Sequence, residues 1–267
     1  MKIAITAAPS KIQYFVNQAY VNYVKQSGFE PILVTEHNDP AMIAALCDGL
    51  LLPGGIDLDP IYYGENNLWC EGSQPSRDEF ERKMMRAFAD ENKKIFGICR
   101  GFQLIAREFL RVNGNHAEAQ ILNFSQNVSG HTATGTLEVA RDIPHHFVHA
   151  NMSILYGNAD NAYKPLAVNS MHHQAFYMGG PDLVQNVAGL RVLAFTQLGL
   201  AAKSKKLPAT KKGGLEKKVD MTGFIIEAID IPAWNCRGVQ WHPEELMDTA
   251  LLNSFFNEGN QEQAIGA

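Results

Sequence analysis

No apolar run in this chain approaches the roughly 20 residues that a bilayer-spanning helix needs, so a helical membrane anchor is not expected. Its four cysteines, Cys47, Cys70, Cys99 and Cys236, stand far apart with no C-x-x-C pair. That spacing argues against a zinc knuckle or a disulfide framework and suits a reducing, cytoplasmic setting. Glycine-rich phosphate loops of the Walker or dinucleotide type are missing, so no cofactor is implied and any ATP-dependent step belongs to a partner. Positive charge is also short: 23 Lys plus Arg face 28 Asp plus Glu, a formal charge of −5. Nucleic acid is therefore not the expected partner. The opening Met1-Lys2-Ile3-Ala4-Ile5-Thr6 reads as a short strand, too brief for the apolar core of a signal peptide.

What is present fits a soluble globular protein with a substantial core: 267 residues, 46% hydrophobic and 19% charged. Charge is distributed unevenly. Lys203, Lys205, Lys206, Lys211, Lys212, Lys217 and Lys218 share one stretch with a single acid, Glu216, a balance of +6 that leaves −11 for the remainder. The stretch has no helical or strand periodicity and reads as a solvated surface insertion at about 201–220, with docking of an acidic partner or nucleic acid as the alternative.

The first hundred residues alternate between strand and helix. Strands are expected at 2–6, 31–35, 49–52 and 94–98, and helices at 12–26, 41–47, from a Ser76–Glu79 capping box to about 92, and at 100–112 with Gly114 as terminator. This beat implies a mostly parallel sheet with helices on both faces, whose ligands bind at the carboxyl ends of the strands. Between 115 and 157 the beat is lost, with a strand-like piece at 135–140. Later apolar runs at 166–169, 191–196, 224–229 and 238–241 follow one another without helices, so an antiparallel extension is expected, then a helix at 244–257. No internal repeat or linker divides the chain, and a single domain over 1–267 is expected.

Gly97-Ile98-Cys99-Arg100-Gly101 falls where a strand turns into a helix. Glycines two residues either side suit a tight elbow, and the helix N-terminus behind it favours a thiolate, so Cys99 is the candidate nucleophile. Gly238-Val239-Gln240-Trp241-His242-Pro243-Glu244 supplies a base, His242, and a carboxylate, Glu244, to orient it. Pro53-Gly54-Gly55 can expose backbone N–H groups for an oxyanion, with the N–H of Arg100 as second donor.

Together these segments resemble the class I (triad) glutamine amidotransferase-like superfamily. Residues 48–60 with Tyr63-Gly64-Glu65, and Val168-Asn169-Ser170-Met171-His172-His173-Gln174, resemble its γ-glutamyl-γ-aminobutyrate hydrolase branch, the C26 peptidases. The resemblance implies a flavodoxin-like three-layer fold and a Cys99–His242–Glu244 triad. It also implies an oxyanion hole at Gly55 and Arg100, and a glutamyl pocket near Gln103, Ser170, His172, His173 and Gln174. The implied activity is hydrolysis of a γ-glutamyl amide through a thioester on Cys99. The alternative is an ammonia-supplying glutaminase subunit acting with a separate synthetase or amidoligase, and a third possibility is a silent binding module. A homo-oligomer is equally compatible with the sequence. The chain departs from the family pattern at residues 108–115, a region the resemblance assigns to the leaving-group side.

Two clusters carry less. His145, His146 and His149 lack an accompanying acid or cysteine, and His146 and His149 would face opposite sides of a strand, so no metal site is expected. Asp57 and Asp59 either read the substrate's amino group or cap the turn that holds them.

Overall fold

Strands that are apolar throughout belong to a sheet covered on both faces. The first strand, β1 (Lys2–Thr6), is buried from Ile3 onward, Ala4 facing one apolar cluster and Ile3 and Ile5 the other. The computed structural model describes residues 1–63, 70, 72–113, 123–125, 140–159, 162–178, 189–197 and 224–258. In it β1 belongs to an 11-stranded mixed sheet. The lysine-rich stretch, the strand expected at 135–140, and Gly114 as helix terminator lie outside the described residues.

Beside β1 stand β4 (Glu30–Val34), β5 (Gly49–Leu52), β6 (Lys94–Ile98) and β13 (Cys236–Val239), in the parallel order β4-β1-β5-β6-β13. Numbering those five strands by sequence gives 2-1-3-4-5, the flavodoxin-like order. From β13 the sheet continues antiparallel through β12 (Phe224–Ile231), β11 (Arg191–Gln197), β8 (His146–Asn151) and β9 (Tyr163–Val168). A short β10 (Ala175–Met178) pairs with β12 and with β7 (Asn123–Ser125).

Helices α2 (Pro40–Leu46), α3 (Pro75–Asp90) and α4 (Arg100–Val112) cover one face. There Ile43, Phe80, Met84, Phe88, Ile105 and Phe109 join Leu50 and Leu52 in one core. The other face is covered by α1 (Gln18–Gln26), α5 (Met152–Tyr156) and α7 (Thr249–Asn257), whose Tyr23, Leu155, Leu251 and Phe256 pack on Leu51 and Phe96. Each such buried side chain contributes about 1.5–3 kcal/mol of transfer free energy.

Three expected elements differ. The helix expected at 12–26 is divided: Tyr14–Phe15 forms β3, pairing with β2 (Ala8–Pro9), and α1 starts only at Gln18, where the Asn17 side chain accepts from the Ala19 N–H. Ser76 does not cap α3. Pro75 opens that helix two residues earlier, behind Gln74, which makes no side-chain cap bond. The helix expected at 244–257 is broken into α6 (Pro243–Leu246) and α7, because Met247 turns left-handed (φ 51°) and Asp248 caps a new start by accepting from the Leu251 N–H. Elsewhere Asp39 caps α2 as its position suggests.

Candidate active site

β6 ends at Ile98 and α4 begins at Arg100, so Cys99 alone makes the turn. It adopts φ 53°, ψ −105°, a conformation that costs a non-glycine residue on the order of 1–3 kcal/mol and gathers at functional sites. The flanking glycines serve a different purpose from the one their spacing suggests, since neither has positive φ. They allow close approach instead. A Cβ on Gly97 would stand 2.6 Å from the Gly101 carbonyl carbon, and one on Gly101 would overlap the Leu52 carbonyl. The Cys99 N–H donates to Val239 O at 2.8 Å, which ties the turn to β13.

β13 lies directly beside β6 with Gly97 opposite Gly238 and Ile98 opposite Val239. Its continuation therefore delivers His242 to the same sheet edge as Cys99. His242 Nδ1 is 2.6 Å from Glu244 Oε1, and both residues are buried. Burial alone would lower the His242 pKa. Glu244 and Cys99, each also a hydrogen-bond partner, outweigh it and push the imidazole up to about 10. The backbone is fixed as well: Asn169 Oδ1 accepts from the His242 N–H at 2.9 Å, and Asn169 Nδ2 donates to its carbonyl at 2.9 Å.

The Pro53-Gly54-Gly55 turn, at the end of β5, faces this pair. A Cβ on Gly54 would lie 2.8 Å from Tyr20 Oη and 3.0 Å from His242 Cε1, so a larger residue there would displace one of them. The Gly54 N–H donates to Tyr20 Oη at 3.0 Å, whereas the Gly55 N–H has no partner among the described residues. The Arg100 N–H, in the first turn of α4, likewise has no intrahelical acceptor. A cleft of about 330 Å³, of the size that takes small ligands, opens over Gly54, Gly55, Tyr20, Arg77 and His242. Arg141 and Asn17 also line it, both hydrogen-bonded to Glu245.

The remaining expected residues lie deeper. Gln103 Nε2 donates to Gln174 O at 3.1 Å and Gln240 Oε1 at 3.0 Å. His172 Nδ1 stands 3.0 Å from Gln174 O, and Ser170, His172 and Gln174 are buried. His173 Nε2 is 3.0 Å from Asp57 Oδ2. Asp59 caps its own turn, accepting from the Ile61 N–H at 3.0 Å and from Ser73 Oγ at 2.9 Å. Glu108 lies in the last turns of α4, bonded to Arg82, Arg86 and Arg111. It joins α3 to α4 and does not border the cleft, while 114–115 lie outside the described residues. His146 pairs with Glu227 at 3.3 Å and His149 stacks on Phe195.

Tyr20, Arg77 and Asn169 escape the sequence reading of the site. The clue to Tyr20 is its place on the α1 stripe with Tyr23 and Val24. Burial first, and then the neighbouring Glu244 and Cys99, hold its phenol well above the usual range and so protonated. The clue to Arg77 is a charge on the stripe that Phe80, Met84 and Phe88 bury.

A thiol on a strained turn, a buried His–Glu pair from the neighbouring strand and a glycine turn opposite, all on a 2-1-3-4-5 sheet, define a class I glutamine amidotransferase-like protein. Within that class the chain belongs to the Peptidase C26 family, whose model matches residues 3–200. The match ends before β12 and does not reach His242 or Glu244, whose placement is that of the structure. "Putative glutamine amidotransferase-like protein YvdE" of Lactococcus lactis subsp. lactis (strain IL1403) is 27% identical, covering 93% of this chain and 90% of that protein. "Putative glutamine amidotransferase-like protein RP404" of Rickettsia prowazekii (strain Madrid E) is 24% identical, covering 89% and 85%. The glutaminase domain of Trypanosoma brucei CTPS, solved with bound acivicin, shares the fold at a TM-score of 0.57 and 14% identity, covering 97% of this chain and 94% of that one. No described helix is long and apolar enough to cross a membrane.

Proposed function

We propose that this protein breaks a γ-glutamyl amide through a γ-glutamyl thioester on Cys99. The observation that carries this reading is the meeting of the strained Cys99 turn with His242, itself held by Glu244 at 2.6 Å. Cys99 Sγ attacks the side-chain carbonyl carbon of the glutamyl group, and the oxygen that becomes negative accepts from the Gly55 and Arg100 N–H groups. His242 gives its proton to the departing nitrogen as the C–N bond breaks. It then takes a proton from the water that attacks the thioester, releasing glutamate and restoring the thiolate. Glu244 orients the imidazole and stabilises its charged form throughout.

The relatives' names favour glutamine as the amide, and with it ammonia as the leaving group, passed to a separate synthetase or amidoligase. They give the glutaminase alternative more weight than the stand-alone hydrolase that the sequence puts first. Hydrolysis of a secondary γ-glutamyl amide without a partner stays as the second reading, favoured by the C26 family match. The test incubates wild type and Cys99→Ala with glutamine, γ-glutamyl-aminobutyrate and short γ-glutamyl peptides. Mass spectrometry follows labelling by a glutamine-analogue electrophile. Wild type should release glutamate and carry the label on Cys99, and the variant should do neither. A wild type that turns over none of them and takes no label refutes the reading. Turnover of glutamine that rises at least tenfold with a candidate synthetase selects the first amide, and turnover of γ-glutamyl-aminobutyrate alone selects the second.

A further inference from the structure

Beneath the glycine turn lies a buried charge cluster that the reaction above leaves unused. Arg77, Asp78, Glu81 and Arg100 are each 3% exposed or less. Glu81 joins the two arginines: Oε1 accepts from Arg77 Nε at 2.9 Å and from Thr6 Oγ1 at 2.7 Å, while Oε2 accepts from Arg100 Nη1. Asp78 takes the other arm of Arg100 and also accepts from the Asp59 N–H at 3.0 Å. Two cations and two anions thus cancel out of contact with water. Such an arrangement is weak evidence for stability, because a well-packed apolar substitute is often at least as stable. What the cluster fixes is position.

Arg77 Nη2 donates to Pro53 O at 3.2 Å and Gly54 O at 3.0 Å, and its Nη1 lies where a Cβ on Gly55 would have to go. The Gly54 carbonyl and the Gly55 N–H belong to one planar peptide, so anchoring the oxygen aims the N–H the opposite way. A cationic donor on that carbonyl also polarises the peptide and strengthens its N–H as a donor. On the other side, Glu81 and Asp78 hold the guanidinium of Arg100, whose backbone opens α4 directly after Cys99.

We propose that Arg77 is a positioning residue for the oxyanion hole, and that Glu81 joins its two donor peptides, at Gly55 and at Arg100, into one rigid frame. This role rests on the reading above, in which those N–H groups receive the oxyanion. Arg77→Lys keeps the charge but loses the fork that grips the turn and Glu81 together. In folded protein, checked by circular dichroism and a cooperative melt, the variant should lose about 10- to 100-fold in kcat, less than or comparable to deletion of one donor. It should lose a similar factor in affinity for an aldehyde analogue of glutamine, which forms a tetrahedral adduct with Cys99. Competitive inhibition by glutamate, which forms no such adduct, should change less than twofold.

A folded Arg77→Lys with kcat and aldehyde affinity within twofold of wild type overturns the proposal, as does an equal loss of glutamate and aldehyde binding. If Arg77→Lys does not fold, Thr6→Val decides by the same pair of measurements, since it removes one bond to Glu81 and keeps the side-chain shape. A selective loss of aldehyde affinity of about threefold or more supports the frame, and none overturns it. A wild type with no turnover and no Cys99 label refutes the parent reading instead, so the two failures are distinct.

Discussion

At the scale of single residues, the proton on His242 bears on stability and, in the reaction proposed above, on chemistry. Folding lifts its pKa to about 10, against about 6.5 for an unfolded histidine. The folded protein therefore keeps a proton that the unfolded chain loses. This contribution to stability is complete below pH 6.5 and is lost as the pH rises through about 10. Urea melts across that window should show wild type losing stability, and Glu244→Gln should flatten the slope by removing the strongest stabiliser of the imidazolium. The same variant should cut kcat by about 10²- to 10⁴-fold, as expected when a base loses its orienting carboxylate. A slope identical in the two proteins would refute the pairing. Cys99, His242 and Glu244 are legible in the sequence because turn glycines and a strand-end His-Pro-Glu are local patterns. Tyr20, Arg77 and Asn169 are not, because each acts across a large sequence separation: Tyr20 reaches Gly54, and Asn169 reaches His242.

At the scale of elements, the closest approach in the site is backbone to backbone. Helix α4 touches β5 at Gly101, where an added methyl would overlap the Leu52 carbonyl, a group with no side-chain freedom to yield. Gly101→Ala is expected to cost about 3 kcal/mol by overpacking. Gly28→Ala tests the other kind of glycine: φ is 84° with open space around it, so the cost is only the left-handed conformation, about 1–2 kcal/mol. Denaturant titration of both should rank Gly101→Ala as the worse, and the reverse order would mean that α4 can slide away from β5. The buried strands β1, β5 and β6 could be read from sequence because burial on both faces leaves nearly unbroken apolar runs. The start of α1 and the break at Met247 could not. The first depends on the β2–β3 pairing and the second on competition between Asp248 as a cap and continuation of the helix.

At the scale of the molecule, β13 is the seam of the sheet, parallel to β6 on one side and antiparallel to β12 on the other. A chain ending at residue 231 would lack that strand and the α7 helix covering the face beneath it. It should show no cooperative urea transition, whereas the full chain should unfold with one. A cooperative transition in the short chain would show that the parallel strands β4, β1, β5 and β6 form an independent unit. The seam also has a consequence in time. Cys99 and His242 are neighbours through one hydrogen-bonded ladder, yet about 140 residues of chain separate them. At cellular rates the ribosome needs roughly 10–30 s to cross that interval. Throughout it Cys99 lacks the His242 partner that the proposed reaction requires. On that reading the reaction becomes possible only when one late strand slots between two earlier ones.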